Sequence, residues 1–154
     1  MIINPDFKEF IQLLNENNVD YLIIGGYALA FHGYLRYTQD IDFWVWSDAD
    51  NAKKITNVLK EFGFTSLGVS EHDFLDEDSM IQLGFPPNRI DIINKIDGVN
   101  FLEAFKEKKV YEDVDIKINF IGIDQLIQNK KSTGRLKDLA DVQVLEEIKK
   151  EKES

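Results

Sequence analysis

Two carboxylates separated by one apolar residue, Asp40-Ile41-Asp42, are the pattern in this 154-residue chain best suited to chemistry. On a strand, residues two apart share a face, so both carboxylates project together while Ile41, Phe43 and Val45 turn the other way. Adjacent carboxylates repel, and each raises the other's pKa unless a cation stands between them. A hard divalent ion, Mg²⁺ or Mn²⁺, would supply that charge, taking one or two carboxylates together with phosphate oxygens of a substrate. A surface strand can carry Asp-x-Asp by chance, so the pattern gains its meaning from what surrounds it.

Gly25-Gly26 stops the apolar run Tyr21-Leu22-Ile23-Ile24 and opens a short helix, which leaves backbone N–H groups where a triphosphate could dock. Read alone, the glycines are a tight turn. Asp40 follows about fifteen residues later, near enough for the two strands to be neighbours in one sheet. Asp91 sits in Arg89-Ile90-Asp91-Ile92-Ile93, a polar residue inside an apolar run. A carboxylate buried there needs either a metal or a salt bridge to Arg89 or Arg36.

The elements that would position these residues follow from periodicity. Asn4-Pro5 starts a helix, with Asn4 as N-cap and Pro5 at the first helical position, and Phe7, Phe10, Ile11 and Leu14 give it an apolar face ending near Asn17-Asn18. Tyr21 to Ile24 is a buried strand, Tyr27 to Phe31 a short helix closing at Gly33, and Ile41 to Trp46 a second strand. A helix from Ala49 to Phe62 ends at Gly63. Thr65 to Asp78 could hold a short strand, and Met80–Phe85 and Arg89–Ile93 read as strands joined by a turn at Pro86-Pro87-Asn88. Phe101 to Lys108 is helical, Val110 to Ile121 is strand material turning near Glu112-Asp113, and Ile123–Lys131 and Arg135–Lys149 are two closing helices. The result is an α+β domain over residues 1–150, with a central mixed sheet, helices on one face, C-terminal helices closing the site and a frayed tail at 151–154.

Composition narrows the class further. The formal charge of −10 argues against general nucleic-acid binding, which relies on clustered Lys and Arg, but not against a metal–phosphate site. With no cysteine, neither disulfides nor zinc–thiolate sites are available. The first residues lack a signal-peptide pattern, and no apolar run approaches the ~20 residues of a membrane span. A cytoplasmic protein with no membrane partner is the expectation.

The stretch from Leu22 through Gly25-Gly26 to Gly33, followed by Arg36, Thr38, Asp40 and Asp42, resembles the nucleotidyltransferase superfamily, the polymerase-beta-like fold. It looks most like AbiEii-type and related bacterial nucleotidyltransferases, some of which are toxins of toxin–antitoxin systems. Phe101–Phe105, Leu126–Lys130 and Gly134–Val142 resemble later parts of those families. The resemblance implies that Asp40, Asp42 and Asp91 are metal ligands, with Asp91 also the candidate general base, and that Gly25 and Gly26 form the phosphate-binding turn. Gly26 stands where the superfamily's usual motif has serine.

Lys130 and Lys137 would lie on helices over the site, either one able to contact phosphate; Lys137, Asp138 and Asp141 could equally pair locally at i, i+4 spacing. Arg36 would reach phosphate or brace the carboxylates, and Thr38 would hydrogen-bond locally where the strand begins. His32 reads as a capping or core residue. Trp44 and Trp46 share the carboxylates' parity and would cover the sheet or stack on a base.

The implied activity is transfer of a nucleoside monophosphate from an NTP to a hydroxyl on RNA, protein or a small molecule. The alternative is a non-catalytic domain that binds a nucleotide or partner. With so little beyond the core fold, the acceptor would dock on the C-terminal helices, a second copy in a homodimer, or a partner protein.

Overall fold

The computed structural model describes residues 3–64, 68–85 and 87–153. Helix α1 (Pro5–Glu16) opens it, with the Asn4 side chain accepting from the Asp6 N–H at 2.8 Å. Strand β1 (Tyr21–Ile24) leads directly into α2 (Gly25–Phe31), which starts at the glycines themselves, two residues before the expected Tyr27. Strand β2 (Asp40–Val45) and helix α3 (Ala49–Phe62) follow, the latter capped by Asp48 and ended by Gly63.

The possible strand over Thr65–Asp78 lies partly outside the described residues. Its described part holds a one-turn 3-10 helix, Glu71–Phe74. Then come β3 (Met80–Leu83), β4 (Arg89–Ile93), α4 (Phe101–Lys106), β5 (Lys109–Asp113), β6 (Ile116–Phe120), α5 (Ile123–Thr133) and α6 (Leu136–Glu153). The expected turn at Pro86-Pro87-Asn88 includes Pro86, which is not among the described residues.

Two boundaries correct the sequence reading. The β5–β6 hairpin turns at Val114-Asp115 rather than Glu112-Asp113, because pairing of Asp113 with Ile116 puts both acidic residues inside the ladder. Helix α6 runs from Leu136 to Glu153, past the Lys149 expected as its end.

The six strands form one mixed sheet in the order β3-β4-β2-β1-β6-β5. β1 pairs antiparallel with β2, and β2 pairs parallel with β4. β1 and β2 are thus central, and β1 is buried along its whole length, as its unbroken apolar run requires.

Alternation along β2 divides the molecule. Phe43 packs at 5.3 Å on Phe10 of α1, which meets Phe62 of α3 at 5.2 Å, so α1 and α3 cover that face. Trp44 points the other way and meets Phe101 of α4 edge-on at 5.0 Å. Asp40 and Asp42 share the Trp44 side, where α5 and α6 close over the sheet. Among the described residues, no helix is long and apolar enough to cross a membrane.

Candidate active site

Register assembles the carboxylates. β2 and β4 align Asp40 with Arg89 and Asp42 with Asp91, so a strand from residue 40 and one from residue 89 place four charged side chains side by side. Asp91 is 2% exposed, and a carboxylate that deep needs compensation. Arg89 supplies it: Nε donates to Asp91 Oδ1 at 2.9 Å and Nη2 to Asp91 Oδ2 at 3.1 Å. The same Nη2 donates to Asp40 Oδ2 at 2.8 Å. Of the two arginine partners considered for Asp91, Arg89 is therefore the one that pairs with it.

Asp42 receives no such help. Burial first, then the Asp91 carboxylate and a hydrogen bond to it, with a smaller push from Asp40, raise its pKa to about 7 against the pull of Arg89. Asp40 Oδ1 is buried with no hydrogen-bond partner among the described residues.

Gly25 is fitted to Asp42. Its φ of +70° lies in the left-handed region, and a Cβ there would overlap Asp42 Oδ2. At Gly26 a Cβ would stand 2.9 Å from Thr38 Cβ and 3.1 Å from its hydroxyl, tighter than packing allows. Thr38 thus explains why the second position of the turn holds no serine. The Thr38 hydroxyl also donates to the Asp40 carbonyl at 2.9 Å and so fixes the start of β2, as expected for a local bond.

Two clefts flank the glycines. One, of about 310 Å³, has Asp42, Gly25, Lys130 and Arg135 on its walls, with Ile93, Ile96 and Leu126. The other, of about 290 Å³, is lined by Gly25, Gly26, Arg36, Lys130, Arg135 and Lys137, with Asp138 and Asp141. Gly25, Gly26, Arg36, Lys130 and Lys137, chosen from sequence, therefore meet around one cleft. Gly25 and Lys130 continue into the neighbouring cleft beside Asp42.

The cations are not equivalent. Arg36 Nη1 pairs with Asp141 Oδ1 at 2.7 Å, and Lys130 Nζ pairs with Asp141 Oδ2 at 2.9 Å and Asp138 Oδ1 at 3.2 Å. Arg36 therefore braces a carboxylate, but on α6 and not in the Asp40–Asp42 group. The local Lys137–Asp141 pair does not form: Asp141 is 3% exposed and turned toward Arg36 and Lys130, while Lys137 is exposed. Lys preceding Asp is also the weaker order for an i, i+4 pair. Asp138 is opposed by burial, but bonds from Thr133, Lys130 and Arg135 outweigh it and hold its pKa below the usual value. Sequence reasoning missed Asp141 as an anchor, since its partner Arg36 is 105 residues away along the chain; Asp138 is held by neighbours close in sequence, Lys130, Thr133 and Arg135.

The remaining polar residues are structural. His32 is buried with Nε2 2.7 Å from the Ile121 carbonyl, and burial lowers its pKa. Trp46 stacks on Phe101 at 5.8 Å and its indole donates to Asp48, so both tryptophans cover the sheet beneath α4.

No family model matches the chain, and no curated protein matches it. Among solved structures it is similar to a Thermotoga maritima protein to which nucleotidyltransferase activity has been provisionally assigned. That likeness has 16% sequence identity and a TM-score of 0.59, and covers 97% of this chain and 96% of the other. The chain thus has the nucleotidyltransferase fold, an α+β arrangement on a mixed six-stranded sheet.

Proposed function

We propose that this chain is a divalent-cation-dependent nucleotidyltransferase that moves a nucleoside monophosphate from an NTP to an acceptor hydroxyl. The observation that carries the reading is the register of β2 and β4, which gathers Asp40, Asp42 and Asp91 beside the Gly25 turn, with a cation-lined cleft adjoining.

The carboxylates fit a divalent ion. Among the described residues, no three acidic or histidine side chains converge as a ready metal cage. Mg²⁺ does not need one, since it commonly keeps one or two protein carboxylates and fills its shell with water and phosphate oxygens. Asp40 Oδ1 is buried without a partner among the described residues, and burial together with the neighbouring Asp91 carboxylate pushes Asp42 toward its protonated form. These are the two groups an ion would satisfy, with Asp91 the third. When bound, the ion would neutralise phosphate charge and favour departure of pyrophosphate.

The chain's own residues do the rest. Gly25 and Gly26 let the substrate's phosphates approach the backbone closely, and Lys137 is free to meet them as a point charge. Arg36 and Lys130, fixed by Asp141, hold the cleft wall in place. In the transfer, the acceptor oxygen bonds to the α-phosphorus, the α–β bridging bond breaks, and the hydroxyl proton passes to a carboxylate, with Asp91 the candidate. Prepositioning and charge supply most of the acceleration. An AbiEii-type role in a toxin–antitoxin pair, and docking of the acceptor on α5 and α6, a second copy or a partner, belong to the same proposal.

A non-catalytic binding domain is the second reading, favoured by the extent to which Arg89, Asp138 and Asp141 already neutralise the site. Calorimetric titration of each NTP with Mg²⁺, with Asp42→Asn as control, separates the two. Mg²⁺-dependent binding abolished by Asp42→Asn supports the enzyme; no binding, or binding indifferent to the substitution, sinks it. Incubation with labelled NTPs and total cell RNA and protein then identifies donor and acceptor.

A further inference from the structure

The Arg89 guanidinium stands among the carboxylates assigned to an ion. It occupies both oxygens of Asp91 and one of Asp40. Asp91 is 2% exposed, while the Arg89 side chain beside it is 27% exposed. The asymmetry has a consequence. Asp91 cannot turn to water for compensation, so it must keep a cationic partner at all times. Arg89 can move its head outward, because one side of it already faces solvent. A fixed positive charge a few ångströms from a divalent ion also repels it strongly in so poorly solvated a place.

We propose that Arg89 is a resident counter-cation: it neutralises Asp91 and Asp40 in the ion-free protein, and a divalent ion enters by displacing its bonds to Asp91. Arg89 then sets the concentration of free ion at which the site fills. The inference rests on the nucleotidyltransferase reading only in placing an ion among these carboxylates. An arginine serving as a permanent brace would have the opposite effect, since its loss would disorder the ligands and weaken binding.

The test is Mn²⁺ binding without nucleotide, read from the loss of the free-ion resonance signal, for the wild type, Arg89→Gln and Arg89→Lys. Displacement predicts that Arg89→Gln binds Mn²⁺ about tenfold tighter or more. Mn²⁺ should also raise its melting temperature more than that of the wild type. Arg89→Lys, which keeps the charge without the two-pronged bond, should fall between. In the wild type, the Arg89 Nε–H signal in ¹⁵N NMR should be protected from exchange and should lose that protection on saturation with Mg²⁺. If Arg89→Gln fails to fold, the lysine variant and the NMR titration decide. Binding by the wild type with no gain in the variants, or an Nε–H that stays protected, overturns the displacement and leaves the nucleotidyltransferase reading standing. Absence of Mn²⁺ binding in every form overturns the displacement as well, while the nucleotidyltransferase reading stands or falls separately on the Mg²⁺-dependent NTP titration.

Discussion

Asp42 and Asp91 are register partners across the parallel strands β2 and β4, and after burial the Asp91 carboxylate is the largest cause of the raised pKa of Asp42. Two carboxylates held side by side cannot both ionise freely. With Arg89 committed to Asp91, it is Asp42 whose pKa rises to about 7.

This makes stability depend on pH in a defined direction. Folded Asp42 holds its proton up to about pH 7, whereas in the unfolded chain it is released near 3.8. Between those values the folded state binds more protons, so stability falls as pH rises through that window. Asp42→Asn removes the liability. Denaturant unfolding at pH 5 and pH 8 should show the wild type losing more stability than the variant, and the variant the more stable of the two at pH 8. A wild type as steady as the variant would show that Asp42 is ionised throughout.

Gly26 and Thr38 should behave as a coupled pair. Gly26→Ser introduces a Cβ against the Thr38 side chain and should cost about 1–3 kcal/mol. Thr38→Ala removes the hydroxyl and methyl, two of the three crowding atoms, so the serine should be cheaper in that background. A double-mutant cycle should give a coupling of about 0.5 kcal/mol or more. Additive effects would locate the strain elsewhere.

Asp141→Asn leaves Arg36 without its only ion-pair partner among the described residues and weakens the hold on Lys130. Breaking a buried pair from one side typically costs about 3–5 kcal/mol, and the asparagine retains part of the hydrogen bonding, so a loss of about 2–4 kcal/mol is expected in denaturant unfolding. Asp141 sits on the packed side of α6 with Val142 and Leu145, so loosened packing between α5 and α6 should accompany the loss.

Lys137→Ala should do the reverse. The side chain is exposed on the cleft rim and makes no ion pair among the described residues, so melting temperature should stay within a degree or two. NTP affinity, measured by the same calorimetry used for Asp42→Asn, should nonetheless fall several-fold. Unchanged affinity would remove Lys137 from the phosphate contacts.

The elements visible in the sequence are those whose signal is local. Tyr21–Ile24 is four apolar residues stopped by glycine, and Asn4-Pro5 and Gly63 mark helix ends by capping alone, so all three appear where expected. The hairpin turn was misplaced because Glu112-Asp113 has turn-forming composition, whereas the real tip carries the fully exposed apolar residue Val114. Within the candidate site, the shared face of Asp40 and Asp42 followed from parity. The partnership of Asp40 with Arg89 did not, because register between strands 49 residues apart is set by packing of the whole sheet. Arg36 with Asp141 is a more extreme case: a part-buried ion pair between a loop and a distant helix leaves no periodic trace in the chain.

The sheet order has a further consequence, for how the site comes apart. Arg89 and Asp91 belong to a hairpin whose outer strand, β3, is the sheet edge and carries the half-exposed Met80. Among the described strands, only β2 holds that hairpin to the rest of the sheet. Excursions that peel β3 and β4 away together would separate Asp91 from Asp42 while leaving β1, β2, α1 and α3 packed. Amide exchange should therefore be faster in Ile81–Leu83 than in Leu22–Ile24, with β4 between them. Anything that bridges the two strands, whether arginine or ion, acts as a clasp on that seam.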